Sequence, residues 1–345
     1  MQGHDIIVVG ASAGGVEALS QLARGMPRDL PAAVFIVLHV SARSPSIMPS
    51  ILSRAGALPA AHAVDGMPIE HGRIYVAPPD HHMLVERGRV RVLRGPKENR
   101  SRPAVDPLFR SAAVAYGPRV VGVILTGALD DGTHGMRAVK RRGGTSVVQE
   151  LSEALYPGMP RSVIRNVEVD YRLPVAEMGP LLVRLSREPA EEEGAYPVPD
   201  DLETEAKIAE QKVDTMELLE SVEKLGRLTS YTCPECHGSL WELREGELLR
   251  FRCHTGHALS AESMVAEQSE GLEAALWSAL RALEEKVALM RQMAARARRR
   301  SLLKAAESFE ARARETEEHV TTVRTILLNG RESSIDEASE MMNAE

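Results

Sequence analysis

Residues 1–186 predict an α/β fold, a doubly wound parallel sheet covered by helices. Three apolar runs carry that expectation: Ile6–Val9, Val34–Val40 (broken by His39 alone) and Val120–Leu125. Helical spacing separates them, and glycine or polar turns end them. Strands with apolar side chains on both faces must be buried on both, which flanking crossover helices provide.

The elements follow in order. Ile6–Val9 is a strand ending at Gly10, and Val16–Leu22 has helical spacing. Val34–Val40 is a second strand, followed by a helix over Ile47–Leu52. Residues 74–77 and 90–93 are shorter strands bounded by Pro-Pro and Gly-Pro. Val105–Tyr116 reads as a helix, Val120–Leu125 as a strand, Met136–Arg142 as a helix and 145–149 as a strand. Residues 187–229 are expected to form an acidic linker, solvated over 187–212, and a helix over about 203–228. Residues 230–259 hold all the cysteines and a zinc-ribbon-like hairpin, SLWELREGELLRFR, turning at Glu245-Gly246. Residues 260–329 are expected to form a helical hairpin or coiled coil. Leu272, Leu276, Leu280, Leu283, Val287 and Met290 form one stripe, and Phe309, Val320, Val323 and Leu327 the other. Residues 330–345 are expected to be a disordered tail.

Composition narrows the function classes. Length, at 345 residues, exceeds one ordinary domain. Aromatics are 3%, which argues against base reading by stacking. A net charge of −7 gives no bulk attraction for nucleic acid or acidic lipid. The start MQGHDIIVVG lacks the features of a signal peptide, and no apolar run is long enough to span a membrane. Three cysteines confined to 233–253 suit a metal site in a reducing compartment. The expected setting is a microbial cytoplasm, with neither nucleic acid nor membrane insertion.

Gly10-Ala11-Ser12-Ala13-Gly14-Gly15 leaves a strand and opens a helix. It fits the G-x-S-x-G elbow that presents a serine hydroxyl; the plain reading is a glycine-rich turn capped by Ser12. A dinucleotide fingerprint wants glycine where Ser12 stands and an acid where His39 ends the second strand. Both departures weaken the nucleotide reading. His39 and Asp131 lie at the carboxyl ends of two strands, where open parallel sheets build their sites. Nucleophile, base and orienting carboxylate are the three roles of acyl transfer.

The segments IIVVGASAGGVEAL, FIVLHVS, GRIYVAPPDHHMLV, RPAVDPLFRSAA, VGVILTGALDDGTHGM and PGMPRSVI carry a resemblance. Residues 1–186 resemble the catalytic domain of the chemotaxis protein-glutamate methylesterase (CheB) family, a Rossmann-like fold. The resemblance implies a triad of Ser12, His39 and Asp131, with Asp131 rather than Asp130 before Gly132. It implies hydrolysis of glutamate 5-O-methyl esters on the signalling helices of methyl-accepting chemoreceptors, releasing methanol, and in some members glutamine deamidation. No cofactor is expected for catalysis. Backbone N–H groups of Ala13 and Ala128 are oxyanion candidates. Met159 and Arg161 are candidates for lining the substrate groove; the other reading is a turn set by two prolines. The usual receiver domain is expected to be missing, since the first catalytic strand begins near residue 5. A same-mechanism esterase acting on a non-receptor protein, and a non-catalytic signalling adaptor, are the competing functions.

Cys233-Pro-Glu-Cys236 is followed by Cys253 and His257, the donor set of a closed structural zinc site, with His254 as rival fourth ligand. A redox C-x-x-C pair is the alternative, weakened by the missing βαβ context. Asp80-His81-His82 is read as a rim or structural element, because neighbours on an extended segment point apart. The C-terminal helices are expected to recruit a partner or self-associate.

Overall fold

The computed structural model describes residues 3–43, 46–211, 215–245 and 248–343. The chain divides into two compact units, Met1–Met264 and Val265–Glu345.

Within the first unit the leading elements are β1 (Ile6–Ala11), α1 (Gly15–Arg24), β2 (Ala33–Leu38), α2 (Met48–Ala55), β3 (Ala60–His62) and β4 (Arg73–Val76). Then come β5 (His82–Glu86), β6 (Arg89–Leu93), α3 (Val105–Tyr116), β7 (Val120–Ile124), α4 (Thr133–Arg141) and β8 (Thr145–Gln149). The α/β part ends with α5 (Gly158–Asn166), β9 (Tyr171–Leu173) and α6 (Val175–Leu185). A parallel seven-stranded sheet runs in the order β3-β4-β2-β1-β7-β8-β9. Alternation along β1 sends Ile7, Val9 and Ala11 into one core and Ile6 and Val8 into the other. The first core lies under α1, α2 and α6, the second under α3, α4 and α5. From β1 the chain first builds the sheet toward β3, then returns to lay β7 against the other side of β1. That reversal leaves a crevice at the carboxyl ends of β1 and β7.

Residues 90–93 belong elsewhere than expected. They pair antiparallel with β5 in a separate hairpin across the Arg87-Gly88 turn. The strands β3, β5 and β9 and the helices α5 and α6 add to the elements legible beforehand.

The expected single helix over 203–228 is two, α7 (Asp200–Ala209) and α8 (Thr215–Leu225). The chain then enters β10 (Gly226–Thr232), followed by β11 (Ser239–Glu245), β12 (Leu248–Cys253) and β13 (Ala258–Ser260). These four strands make one antiparallel sheet. Of the expected Glu245-Gly246 turn, Gly246 lies outside the described residues.

The expectation of a solvated linker over 187–212 is corrected at α7. Leu202, Glu205, Ala206 and Ile208 are all buried there. Glu205 meets Arg250 at 3.0 Å and Arg252 at 2.8 Å, and Glu98 meets Arg110 at 2.8 Å and Arg252 at 3.2 Å. Two carboxylates and three guanidiniums, all nearly inaccessible, thus join α3, α7, β12 and the segment before α3. A charge can be buried so deeply only when paired, which is why the acidic composition misled.

The second unit is the helical hairpin formed by α9 (Ala261–Arg299), which starts at the end of the first unit, and α10 (Leu303–Asn343). Its seam is Leu280, Val287, Val320 and Leu327, with Leu276, Leu283 and Val323 packed against it. Leu272, expected in the stripe, is 62% exposed. Glu284–Arg324, Arg291–Glu317 and Arg298–Glu310 pair across the hairpin at seven-residue steps, so the helices are antiparallel. Past residue 330 the backbone continues as helix to Asn343, where a disordered tail was expected. Among the described residues no helix is long and apolar enough to cross a membrane.

Candidate active site

Register brings three separate segments together. Ala11 pairs with Leu38, and Gly10 with Ile124, so the chain leaves β1, β2 and β7 at one level. The backbone ladder continues past the strands: His39 N–H donates to Ala11 O at 3.1 Å and Ser12 N–H to Thr126 O at 3.0 Å. Gly14 then turns in the left-handed region, at φ 73°, as N-cap of α1. Ser12 therefore sits beneath the amino end of a helix, whose partial positive charge favours a developing oxyanion.

His39 Nδ1 lies 3.1 Å from Ser12 Oγ, and His39 Nε2 lies 2.7 Å from Asp131 Oδ2. Asp131 is buried and accepts from four donors. Oδ2 takes His39 and the Val105 N–H at 2.7 Å; Oδ1 takes the Asn99 amide at 2.9 Å and the Asp106 N–H at 3.2 Å. Burial alone would raise its carboxyl, but the bond and charge of His39, with the Val105 and Asn99 donors, hold it below the usual carboxylate range. An anionic Asp131 fixes the proton of His39 on Nε2 and leaves the Nδ1 lone pair facing Ser12.

Asp106 is a second carboxyl in the same network, not anticipated from the sequence. Its Oδ1 accepts from Gly132 N–H at 3.0 Å and Gly135 N–H at 2.6 Å, and its Oδ2 from Asn99 at 2.8 Å. Burial and the neighbouring Asp131 charge push it well above the usual range. One amide, Asn99, thus bridges two buried carboxyls whose surroundings push their ionisation in opposite directions. Asp130 faces away, toward Ser260 Oγ at 2.7 Å and Ser263 Oγ at 3.3 Å. Burial pushes its carboxyl up to about 6.

Ala13 and Ala128 stand on the two turns flanking Ser12. Among the described residues neither N–H has a protein acceptor, while Ala13 O takes the Thr126 hydroxyl at 3.0 Å. Gly127 explains how close the turns come. A Cβ there would lie 2.1 Å from Met159 Sδ and 2.9 Å from Ser12 Cβ. Met159 is fully buried, so it is corrected from a groove-lining residue to the support beneath Gly127. The PGMPR segment opens α5, with Pro160 in its first turn, and Arg161 is half-buried on it. Leu155 and Tyr156, 71% and 47% exposed, form an apolar rim: Leu155 abuts Gly14 and Tyr156 O accepts from Gly127 N–H.

His82 is buried with both ring nitrogens used, Nε2 toward Pro96 O at 2.9 Å and Nδ1 toward the Ala104 N–H at 3.3 Å. It has no lone pair to offer a metal. Asp80 pairs with Arg102 and Arg94.

The structure brings the Sγ atoms of Cys233, Cys236 and Cys253 and a ring nitrogen of His257 within 4.8 Å of one another. Cys236 Sγ is 3.7 Å from Cys253 Sγ, which is 3.5 Å from His257 Nδ1. Tetrahedral zinc with bonds of about 2.3 Å to sulfur requires sulfurs about 3.8 Å apart, so the donor set fits that ion. His254 is exposed, its ring over Gly238.

The family model described as CheB methylesterase matches residues 7–182. The chain belongs to the CheB methylesterase family. A "Protein-glutamate methylesterase/protein-glutamine glutaminase 2" of Methanosarcina mazei is 36% identical over 192 residues, 53% of this chain and 52% of that protein. A "Protein-glutamate methylesterase/protein-glutamine glutaminase 1" of Rhodospirillum rubrum is 39% identical over 186 residues, 52% of this chain and 48% of that one. The chain thus spans about half the length of these curated relatives. The crystal structure of the Thermotoga maritima CheB methylesterase catalytic domain matches with a TM-score of 0.50 at 33% identity. The match covers all of that domain and 54% of this chain. The α/β architecture is therefore that of the CheB catalytic domain, and the four-stranded sheet with its cysteines lies beyond the family match.

Proposed function

We propose that this protein hydrolyses glutamate 5-O-methyl esters on the signalling helices of chemoreceptors, using Ser12, His39 and Asp131. The observation that carries the reading is the continuous chain from Ser12 Oγ to His39 Nδ1 and from His39 Nε2 to Asp131. His39 Nδ1 takes the Ser12 proton as Oγ attacks the ester carbonyl. Asp131 stabilises the resulting imidazolium without itself being protonated. The N–H groups of Ala13, just before α1, and of Ala128, on the turn after β7, are the donors for the developing oxyanion in this reading. Collapse expels methoxide, which leaves as methanol with the proton from His39. Water then enters and gives a proton to His39 as it attacks the acyl-enzyme; collapse returns that proton to Ser12 Oγ and frees the glutamate side chain, which ionises in solution. A glutamine side chain follows the same course with ammonia as leaving group. The exposed Leu155 and Tyr156 supply an apolar rim against which a helical substrate would lie.

Methanol release from methylated receptor membranes, wild type against Ser12→Ala, tests the reading. Release by the wild type alone is expected; equal release by both would overturn it. Receptor-free methylated proteins as substrate separate this reading from a same-mechanism esterase with another target.

The Cys233, Cys236, Cys253 and His257 cluster is proposed to hold a structural zinc, whose contribution is cross-linking, because a closed four-ligand site leaves no position for substrate. Self-association through α9 and α10 is part of the same proposal. Exposed Leu289, Met293, Ile326 and Leu328 support it, and sedimentation equilibrium of the full chain tests it.

A further inference from the structure

We infer that the cysteine-rich sheet is a working part of the hydrolytic site, with Asn99 the positioning residue through which it holds Asp131. The inference rests on the esterase reading above and adds a dependence on metal that the reading does not require.

Asn99 makes the connection with its side-chain NH2, its side-chain oxygen and its backbone N–H. Its side-chain amide donates to Asp131 Oδ1 and Asp106 Oδ2. Its Oδ1 accepts from Ser260 N–H at 3.0 Å, and its own N–H donates to Ala258 O at 2.8 Å. Both partners belong to β13, which begins one residue after His257. Asn99 and Arg100 sit at φ 47° and 67°, in the left-handed region that costs side-chain-bearing residues energy. Contacts from outside the segment help hold such a conformation, and at Asn99 β13 supplies them. Ala258 N–H also donates to Lys97 O at 3.3 Å, and Lys97 pairs with Glu235, inside the first cysteine knuckle, at 2.7 Å.

A second connection is independent of Asn99. Asp130, the neighbour of Asp131, is held by Ser260 and Ser263. One short strand therefore fixes both the residue preceding Asp131 and the amide that donates to it.

That strand depends on the donor cluster. The apolar core of this sheet is Cys233, Leu240, Phe251, Cys253, Leu259 and Met264, and two of those six are donors. A core so small draws its stability from the metal. Cys253 N–H donates to His257 O at 2.9 Å, and an ion held by both side chains would tie the knuckle from which β13 emerges. Removing it loosens Ala258–Ser260, then Asn99, then Asp131.

The experiment uses the full chain, zinc-loaded, then stripped by a chelator, beside a zinc-loaded Asn99→Ala variant. Two readouts are followed: the rate at which a fluorophosphonate labels Ser12, and the 15N signals of the His39 ring. A misplaced triad loses about 10- to 100-fold in rate. Stripping is expected to slow labelling by that factor, to shift His39 from the Nε2–H tautomer to a mixture, and to be reversed by zinc. Asn99→Ala is expected to do the same with metal content unchanged, and to lower kcat on methylated receptor while leaving KM. Unchanged labelling and unchanged ring signals in Asn99→Ala would overturn the inference, even if stripping unfolds the sheet. If loaded wild type fails to label, the esterase reading falls, and the ring signals still decide whether the metal-bearing sheet holds Asp131.

Discussion

His39 turns Nε2 to Asp131 at 2.7 Å and leaves Nδ1 at 3.1 Å from Ser12 Oγ. In the chymotrypsin arrangement the two ring nitrogens have the opposite assignments, Nε2 serving the serine. The roles proposed above are compatible with this arrangement, because they require only that the carboxylate hold the proton on the nitrogen remote from the nucleophile. What changes is the direction from which the carboxylate comes: here it lies past β7, under the amide of Asn99.

Asp131→Asn is predicted to cost far more than a lost charge. Both carboxylate oxygens accept from donors, so an asparagine NH2 in either orientation meets another donor. Turned toward His39 it also forces the ring proton onto Nδ1, against Ser12. A kcat loss of about 10³- to 10⁴-fold is expected, by analogy with the aspartate of the chymotrypsin triad. Each orphaned buried donor adds about 1–3 kcal/mol of instability. Methanol release and urea unfolding measure the two effects; a loss below about tenfold in kcat would contradict the network.

Gly127→Ala should disable the enzyme without replacing a reacting group. The new Cβ would lie 2.1 Å from Met159 Sδ and 2.9 Å from Ser12 Cβ, so the Ser12 turn must move. An overpacking penalty of about 1–3 kcal/mol is expected, with loss of labelling at Ser12. Adding Met159→Ala should restore part of both, because the sulfur is the nearer obstacle. A double-mutant cycle checks it, and simple additivity would count against the steric account.

Asp130 gives stability a slope with pH. Its carboxyl is pushed from 3.8 up to about 6 by burial, so the folded chain binds the proton more tightly than the unfolded one. The associated stabilisation is fully present below pH 3.8 and is lost as pH rises through about 6. Denaturant unfolding from pH 4 to pH 7 should show this decline in wild type and a flatter profile in Asp130→Asn. Identical profiles would remove Asp130 as its source.

The buried ion cluster makes the opposite contribution at lower pH. Burial opposes ionisation of Glu98, but Arg110, Arg252 and Arg250 overcome it and bring the carboxyl from 4.5 down to about 2. Its stabilisation is present above pH 4.5 and is lost as pH falls toward about 2. Glu205→Gln, which leaves three guanidiniums facing one carboxylate, should destabilise the first unit by about 3–5 kcal/mol. Calorimetry tests it, and a change within about 1 kcal/mol would mean the cluster is more hydrated than its burial implies.

Zinc content separates the two candidate histidines. His257→Ala should lower bound zinc measured by mass spectrometry, whereas His254→Ala should retain it, since among the described residues the His257 ring alone joins the three sulfurs. Equal loss in both would displace His257 as a ligand.

The proximity of Ser12, His39 and Asp131 was legible because each lies in the segment that follows an apolar strand, and in a parallel sheet such segments gather along one edge. The helix over Val105–Tyr116 was legible in full, yet the burial of Asp106 inside its first turn was not. Asp106, Asn99 and Glu205 are polar residues in unremarkable local sequence. Their importance comes from partners far along the chain, and periodicity reports only neighbours.

By itself the sequence determined the α/β fold, the residue types at the strand ends and the cysteine-histidine donor set, since each is written in local pattern. The tertiary structure alone decided which ring nitrogen faces Ser12, that Met159 lies beneath Gly127, and that β13 reaches Asn99 behind Asp131. The physical reason is range. Strand burial and knuckle spacing act over a few residues, whereas a buried carboxylate takes its ionisation and position from donors that only the folded chain assembles.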